Sequence, residues 1–142
     1  MQVETILQSK GRKVHTVPAA SKVADAVAAL NRHNIGAVIV VDTEGGVAGI
    51  ISERDIVRLL GRDPVGALKR PVSECMTTSI VSCTHDTTVA VLMEQMTRYR
   101  IRHMPVIEDG ELEGLVSIGD VVKRKIEETE QEATALREYI AS

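Results

Sequence analysis

The sequence predicts an α+β fold made of two copies of one β-α-β-β-α unit followed by a C-terminal helix. Three observations predict it. The heptapeptide GIISERD at 49–55 returns as GLVSIGD at 114–120, each reading glycine, two aliphatics, serine, two variable residues and aspartate. Sliding the chain on itself extends the match. Val23, Ala24, Arg32, Ile35 and Val40 fall on Val89, Ala90, Arg98, Ile101 and Val106 at a shift of 66, and Gly49, Ser52 and Asp55 fall on Gly114, Ser117 and Asp120 at a shift of 65. Each copy also passes through β-rich and helix-periodic segments in the same order.

Taken in order, a lead-in opens each copy, with Val3, Ile6 and Leu7 in the first and Val72, Cys75 and Met76 in the second. A β-rich stretch follows at 13–17 or 79–83. It leads to a polar helix start at Ser21, or at Asp86 and Thr87, whose side-chain oxygens can cap free amides. Val23, Val27 and Leu30, and then Val89, Met93 and Met96, recur at i, i+4, i+7 and predict the buried face of that helix. Two strands come next: AVIVV at 37–41 or HMPVI at 103–107, then VAGIIS at 47–52 or LEGLVS at 112–117. The turn-rich DTEGG and EDG between them read as hairpin loops. Pro105 has no N–H to donate, which predicts a sheet edge or strand end. A second helix runs over 53–60, closed by Gly61 and Pro64, or from Ile118 onward. These segments divide the chain into a first repeat with its lead-in at 1–64, a second at 65–125, and a helical extension at 126–142. In the extension Val122, Ile126, Thr129, Ala133, Leu136 and Ile140 are spaced 4, 3, 4, 3 and 4, a heptad-like seam. It is short and rich in Thr and Ala for an independent coiled coil, so it packs either on a twofold-related copy or back on its own module.

Composition limits the partners. The 142 residues suit one domain that buries about two thirds of its unfolded surface. There is no Trp and no Phe, and Tyr99 and Tyr139 are the only tyrosines, so aliphatics and Ala must fill the interior and stacking platforms for bases are missing. A net charge of -3 argues against general binding to nucleic acid or anionic membrane. No apolar run approaches the roughly 18 residues of a membrane span, and the first residues lack the order of a signal peptide. The expectation is a soluble, cytoplasmic chain with a small-molecule partner, no nucleic acid and no membrane. Cys75 and Cys83 have neither CxxC spacing nor a local His, and are expected to be reduced structural residues. With no nucleophile–base pair, metal-ligand cluster or P-loop, no catalysis, metal or catalytic cofactor is expected.

The repeated motif has chemistry of its own. A strand that ends in Ser52 and turns into a helix places a hydroxyl and free amides at a positive helix end, which favours phosphate. Asp55, one turn in, offers acceptors that suit the paired hydroxyls of a ribose. The same two residues can instead cap their helix. RYRIRHMPV at 98–106 concentrates arginines and a histidine in an acidic chain, and arginine forks match phosphate oxygens. Arg98 and Arg100 read as a solvated helix end, whereas Arg102 and His103 open a strand.

With its doubled GxxSxxD turns and the RHMPV that opens a strand, the chain resembles, over residues 3–125, a tandem pair of cystathionine β-synthase (CBS) domains, a Bateman module. The resemblance implies two repeats packed sheet to sheet around a pseudo-twofold axis, with clefts that bind adenosine nucleotides. Carried over residue by residue, it implies a first site of Ser52, Arg54, Asp55, Ile80, Val81, Arg102 and His103, where Ile80 and Val81 cover the adenine. A second site takes Val14, His15, Gly36, Ala37, Ser117, Gly119 and Asp120. There Gly36 and Ala37 replace Arg102 and His103, so the second site is roomier and less cationic, suited to adenosine, a second nucleotide or part of NAD(H); His15 itself reads as an ordinary strand histidine. The implied function is a stand-alone regulatory sensor that binds AMP foremost, or ADP or ATP, and signals to an unknown protein partner through a homodimer. Alternatives are a sensor of NAD(H) or S-adenosylmethionine, or a structural dimerisation module without a ligand.

Overall fold

In the computed structural model, which describes residues 1–142, the repeated grammar appears as α1 (Val3–Lys10), β1 (Thr16–Pro18), α2 (Val23–His33), β2 (Ala37–Val41), β3 (Val47–Ser52) and α3 (Glu53–Arg62), then two 3-10 turns (Ala67–Lys69 and Val72–Glu74), α4 (Val89–Tyr99), β4 (His103–Glu108), β5 (Glu111–Ser117) and α5 (Ile118–Ala141). The chain divides into two compact units, Lys13–Val81 and Met1–Arg12 with Ser82–Ser142. These compact units are cut differently from the sequence repeats at 1–64 and 65–125, because the lead-ins change sides. Val72 N–H donates to Ser21 O and Val23 N–H to Arg70 O, which ties the second lead-in to the start of α2. Val3 N–H donates to Thr87 O and Val89 N–H to Met1 O, which ties the first lead-in to the start of α4. The extension is no separate element either, since α5 runs unbroken through it.

In the Lys13–Val81 unit the sheet order is β1-β2-β3, with β1 parallel and β3 antiparallel to β2. Ala37 to Val40 are at most 1% exposed, as a central strand of continuous aliphatics should be. The outer edge of β3 is not left open, because Thr77 exchanges both backbone hydrogen bonds with Ile50. Val17, Val23, Ala26, Leu30, Val38, Val40, Ile51, Ile56, Leu59, Ala67 and Val72 form an all-aliphatic core over this sheet. The buried face of α2 is Val23, Ala26 and Leu30, while Val27 is 36% exposed. In α4 the same correction holds, with Val89, Leu92 and Met96 buried. The face follows i, i+3, i+7, and the side chain at i+4 lies beside it.

In the other unit β4 pairs antiparallel with β5, and the strand expected at 79–83 is reduced to one parallel bridge between Cys83 and Val106. Pro105 supplies the reason. In the first repeat Ile39 N–H donates to His15 O and so holds the residue ahead of β1. A shift of 66 puts Pro105 in the place of Ile39 and Val81 in that of His15. Pro105 has no N–H, so the ladder stops at Cys83, whose N–H donates to Pro105 O. Pro105 does lie on an edge strand, but at its third residue and not at its end. The helix starts move by one residue: Thr88 Oγ1 accepts Val91 N–H to cap α4, and at α2 the Asp25 carboxylate accepts Lys22 N–H. Both α2 and α4 stop on a left-handed residue, Asn34 and Arg100.

Neither tyrosine belongs to a core: Tyr99 is 50% and Tyr139 79% exposed. Cys83 is buried, its thiol donates to Pro105 O, and burial pushes its pKa up to about 11, so it stays a protonated, unreactive thiol. Cys75 is also pushed up, by burial first and then by the Asp55 charge.

Two histidines give the units opposite responses to acid. In Lys13–Val81, His15 stacks on His33 with ring centroids 3.5 Å apart, and burial, then the charges of His33 and Lys13, lower its pKa. A lowered histidine gives stability that is present above pH 6.5 and lost as pH falls through the folded value. In the other unit Glu4 accepts from both Arg12 and His85; hydrogen bonds from Arg12 and then His85 bring the Glu4 carboxyl down to about 2 and raise His85. The His85 contribution is complete below pH 6.5 and lost as pH rises through its raised value. Melting temperatures followed from about pH 8 to 5 are expected to fall less steeply in His15→Gln than in the parent, and more steeply in His85→Gln. Identical pH profiles for the two variants would refute both assignments.

Candidate functional site

Each repeat builds the same strand-to-helix turn. At the first, Ser52 Oγ accepts Asp55 N–H at 3.3 Å and Asp55 Oδ2 accepts Ser52 N–H at 2.8 Å, a reciprocal capping box at the start of α3. The Ser52 hydroxyl also donates to Asp55 Oδ2 at 3.0 Å, and Thr77 Oγ1 donates to Asp55 Oδ1 at 3.1 Å. At the second, Ser117 Oγ accepts Asp120 N–H at 3.2 Å and Asp120 Oδ2 accepts Ser117 N–H at 2.8 Å. Here Lys10 takes the place of Thr77: its ammonium donates to Asp120 Oδ2 at 2.7 Å and to Leu115 O at 2.8 Å. Burial pushes the Asp120 carboxyl up, but the hydrogen bonds from Lys10 and Ser117 outweigh it and hold the group below its ordinary range.

A capping box explains why the Asp recurs with the Ser. With three donors on it, and about four lone-pair sites in all, the Asp55 carboxylate keeps at most about one site for a ribose hydroxyl unless Thr77 turns away. Thr77 and Lys10 were not singled out in the sequence, because both belong to lead-ins that cross to the other repeat's unit. Their only sequence signal is the motif glycine. A Cβ on Gly49 would come within 2.7 Å of Met76 Sδ and 2.8 Å of Thr77 O, and one on Gly114 within 2.6 Å of Leu7 Cδ2. The glycine thus admits the lead-in that holds the aspartate.

The remaining residues fall around these turns unit by unit. In Lys13–Val81, Gly36 O accepts Glu53 N–H at 3.0 Å and Ala37 pairs with Ser52, which sets the strand start beside the helix start. Arg54 is on the first turn of α3 with its side chain exposed, Val14 and His15 are half-buried ahead of β1, and Ile80 and Val81 are half-buried beyond Thr77. In the other unit Arg102 O accepts Ile118 N–H at 2.7 Å and His103 pairs with Ser117. Arg102, His103 and Lys10 therefore share one unit with Ser117, Gly119 and Asp120, whereas Gly36, Ala37 and neutral Thr77 accompany Ser52 and Asp55. Gly119 stands where Arg54 does and meets only Ser117 Oγ, at 3.6 Å from a built Cβ. At Arg98 the guanidinium lies over the Tyr99 ring, 5.6 Å from its centroid, as on an exposed helix end. No helix is long and apolar enough to cross a membrane.

Comparison with known proteins gives one family. The CBS-domain model matches residues 7–62 and 72–127. Among relatives, the CBS domain-containing protein CBSX3, mitochondrial, of Arabidopsis thaliana is 39% identical over 120 residues, which are 82% of this chain and 58% of that protein. The chain thus spans less than two thirds of that relative. Among solved structures, the CBS-domain containing protein ATU1752 from Agrobacterium tumefaciens superposes with a TM-score of 0.86 at 44% identity, covering 87% of this chain and 92% of that one. The CBS domain pair of protein MJ0100, solved in complex with 5′-methylthioadenosine and S-adenosyl-L-methionine, superposes with a TM-score of 0.80 at 26% identity, covering 90% and 98%.

Proposed function

Because the chain belongs to the CBS-domain family and carries two of its domains in tandem, we propose that it is a regulatory module that binds an adenosine nucleotide, AMP foremost, and acts through a homodimer rather than by catalysis. The observation that carries the reading is the doubled Ser-Asp turn, which sets a hydroxyl, helix-start amides and a carboxylate together in each repeat. The amides and the positive helix end suit a phosphate, and the carboxylate suits a ribose hydroxyl. In Lys13–Val81 the proposed ligand residues are Ser52, Arg54, Asp55, Ile80 and Val81, with Val14, His15, Gly36 and Ala37. In the other unit they are Arg102 and His103, suited to a phosphate, with Ser117, Gly119 and Asp120. A second reading, a sensor of S-adenosylmethionine or a related thioether nucleoside, is favoured by the complex of the MJ0100 pair.

A thermal-shift panel of AMP, ADP, ATP, NAD, NADH and S-adenosylmethionine tests the proposal. A ligand that binds only the folded chain stabilises it by about 2.7 kcal/mol at one hundred times its dissociation constant. AMP is expected to give the largest shift. S-adenosylmethionine in first place would favour the second reading. No shift with any adenosine compound would leave the structural dimerisation module.

A further inference from the structure

The exposed seam of α5 has a direction written in its flanks. Val121 is buried, while Arg124, Glu127 and Glu128 are half-buried and Arg124 Nε donates to Met1 Sδ, so this face of the helix packs on its own unit. The seam points elsewhere: Val122 is 44%, Ile126 53%, Leu136 59% and Ile140 74% exposed. Thr129 turns its hydroxyl back to Lys125 O at 2.9 Å, which satisfies it within the helix and leaves its methyl to the seam. At about 1.5 Å per residue, the seam from Val122 to Ile140 is about 27 Å long.

Spacing assigns Val122, Thr129 and Leu136 to d positions and Ile126, Ala133 and Ile140 to a positions. Lys123, Glu130 and Arg137 then take the e positions and Lys125 and Glu132 the g positions, all of them exposed. In a parallel pair each g residue faces the e residue five places on in the other helix. Lys125 then meets Glu130 of the second copy and Glu132 meets Arg137 of the second copy, each twice over, and every pair is attractive. In an antiparallel pair with the a and d layers matched, e faces e and g faces g. Glu130 then meets Glu130, Glu132 meets Glu132, and Lys123 meets Arg137, so every charged pair is repulsive.

We propose that α5, along its seam from Val122 to Ile140, docks on the same segment of a second copy as a parallel, in-register helix pair, specified by Lys125 with Glu130 and Glu132 with Arg137. The proposal rests on the homodimer of the functional reading but on none of its ligands, so nucleotide binding can fail without touching it.

Disulfide mapping on the full chain tests it, in a Cys75→Ala, Cys83→Val background; Cys83→Val installs the residue type that Val17 has at the matching place in the first repeat. Leu136→Cys is on an exposed helix position and should leave folding intact. A parallel pair predicts that Leu136→Cys alone oxidises to a covalent dimer. It also predicts that an equal mixture of Ile126→Cys and Leu136→Cys chains yields like-with-like links, identified by mass of the joined peptides. Predominant 126-to-136 links, or no link at all, would overturn it. Lys125→Glu should slow Leu136→Cys cross-linking at low salt by about fivefold to tenfold, and adding Glu130→Lys should restore it. Failure of that rescue would overturn the charge pairing.

Discussion

Gly49→Ala is expected to lower stability by about 2–3 kcal/mol and the melting temperature by about 5–10 °C. The added Cβ would meet not only Met76 Sδ but also the Thr77 carbonyl at 2.8 Å, and that carbonyl is fixed by its hydrogen bond from Ile50 N–H at 3.0 Å. Backbone cannot step aside as a side-chain tip can, so relief requires breaking the strap that closes the edge of β3. Gly114→Ala is the matched control. There the obstacle is the side chain of Leu7 alone, whose methyl ends can shift more cheaply than backbone, and the cost should be about 1 kcal/mol. Urea denaturation of both variants checks the order, and a Gly114→Ala loss equal to that of Gly49→Ala would show that the Thr77 carbonyl is not the obstacle.

Asp55→Ala is the second large effect, and it has two parts. Without ligand it removes the acceptor of Ser52 N–H, the Ser52 hydroxyl and the Thr77 hydroxyl, at a cost of about 1–2 kcal/mol. With ligand it should also abolish most of the nucleotide-induced shift, because the ribose loses its acceptor. The two parts separate when each variant is compared with and without nucleotide. Thr77→Val should reproduce part of the ligand-free loss and leave the nucleotide-induced shift intact or larger, since it frees an acceptor site on Asp55. An Asp55→Ala chain as stable as the parent would contradict the capping box as a stabilising element.

Local chemistry was legible in the sequence wherever pattern and position coincide. AVIVV became the buried central strand, and the Ser-x-x-Asp turns start helices at Ser52 and Ser117 as expected. The helix faces differ from the expected ones by one residue: in α2 Val27 outweighs Ala26 as a hydrophobe although Ala26 faces inward, and in α4 Leu92 and Met93 are both large hydrophobes, so the pattern does not choose between them. The lost strand before Cys83 could have been read from the repeat itself, since the shift of 66 places Pro105 on Ile39. What no spacing could announce is the exchange of lead-ins. Lys10 and Thr77 reach their aspartates across sequence separations of 110 and 22 residues, and only folding brings them there. That exchange also moves one positive charge: Lys10 joins the second Ser-Asp turn, in the unit that already carries Arg102 and His103.

The most direct test of nucleotide recognition is calorimetric titration of the full chain with AMP and with adenosine, in the parent and in Arg102→Ala. AMP is expected to bind saturably to the parent and about tenfold or more weakly to Arg102→Ala, in keeping with loss of a charged phosphate contact, while adenosine binds both chains equally. Equal losses for AMP and adenosine, or no saturable binding of either to the parent, would contradict it.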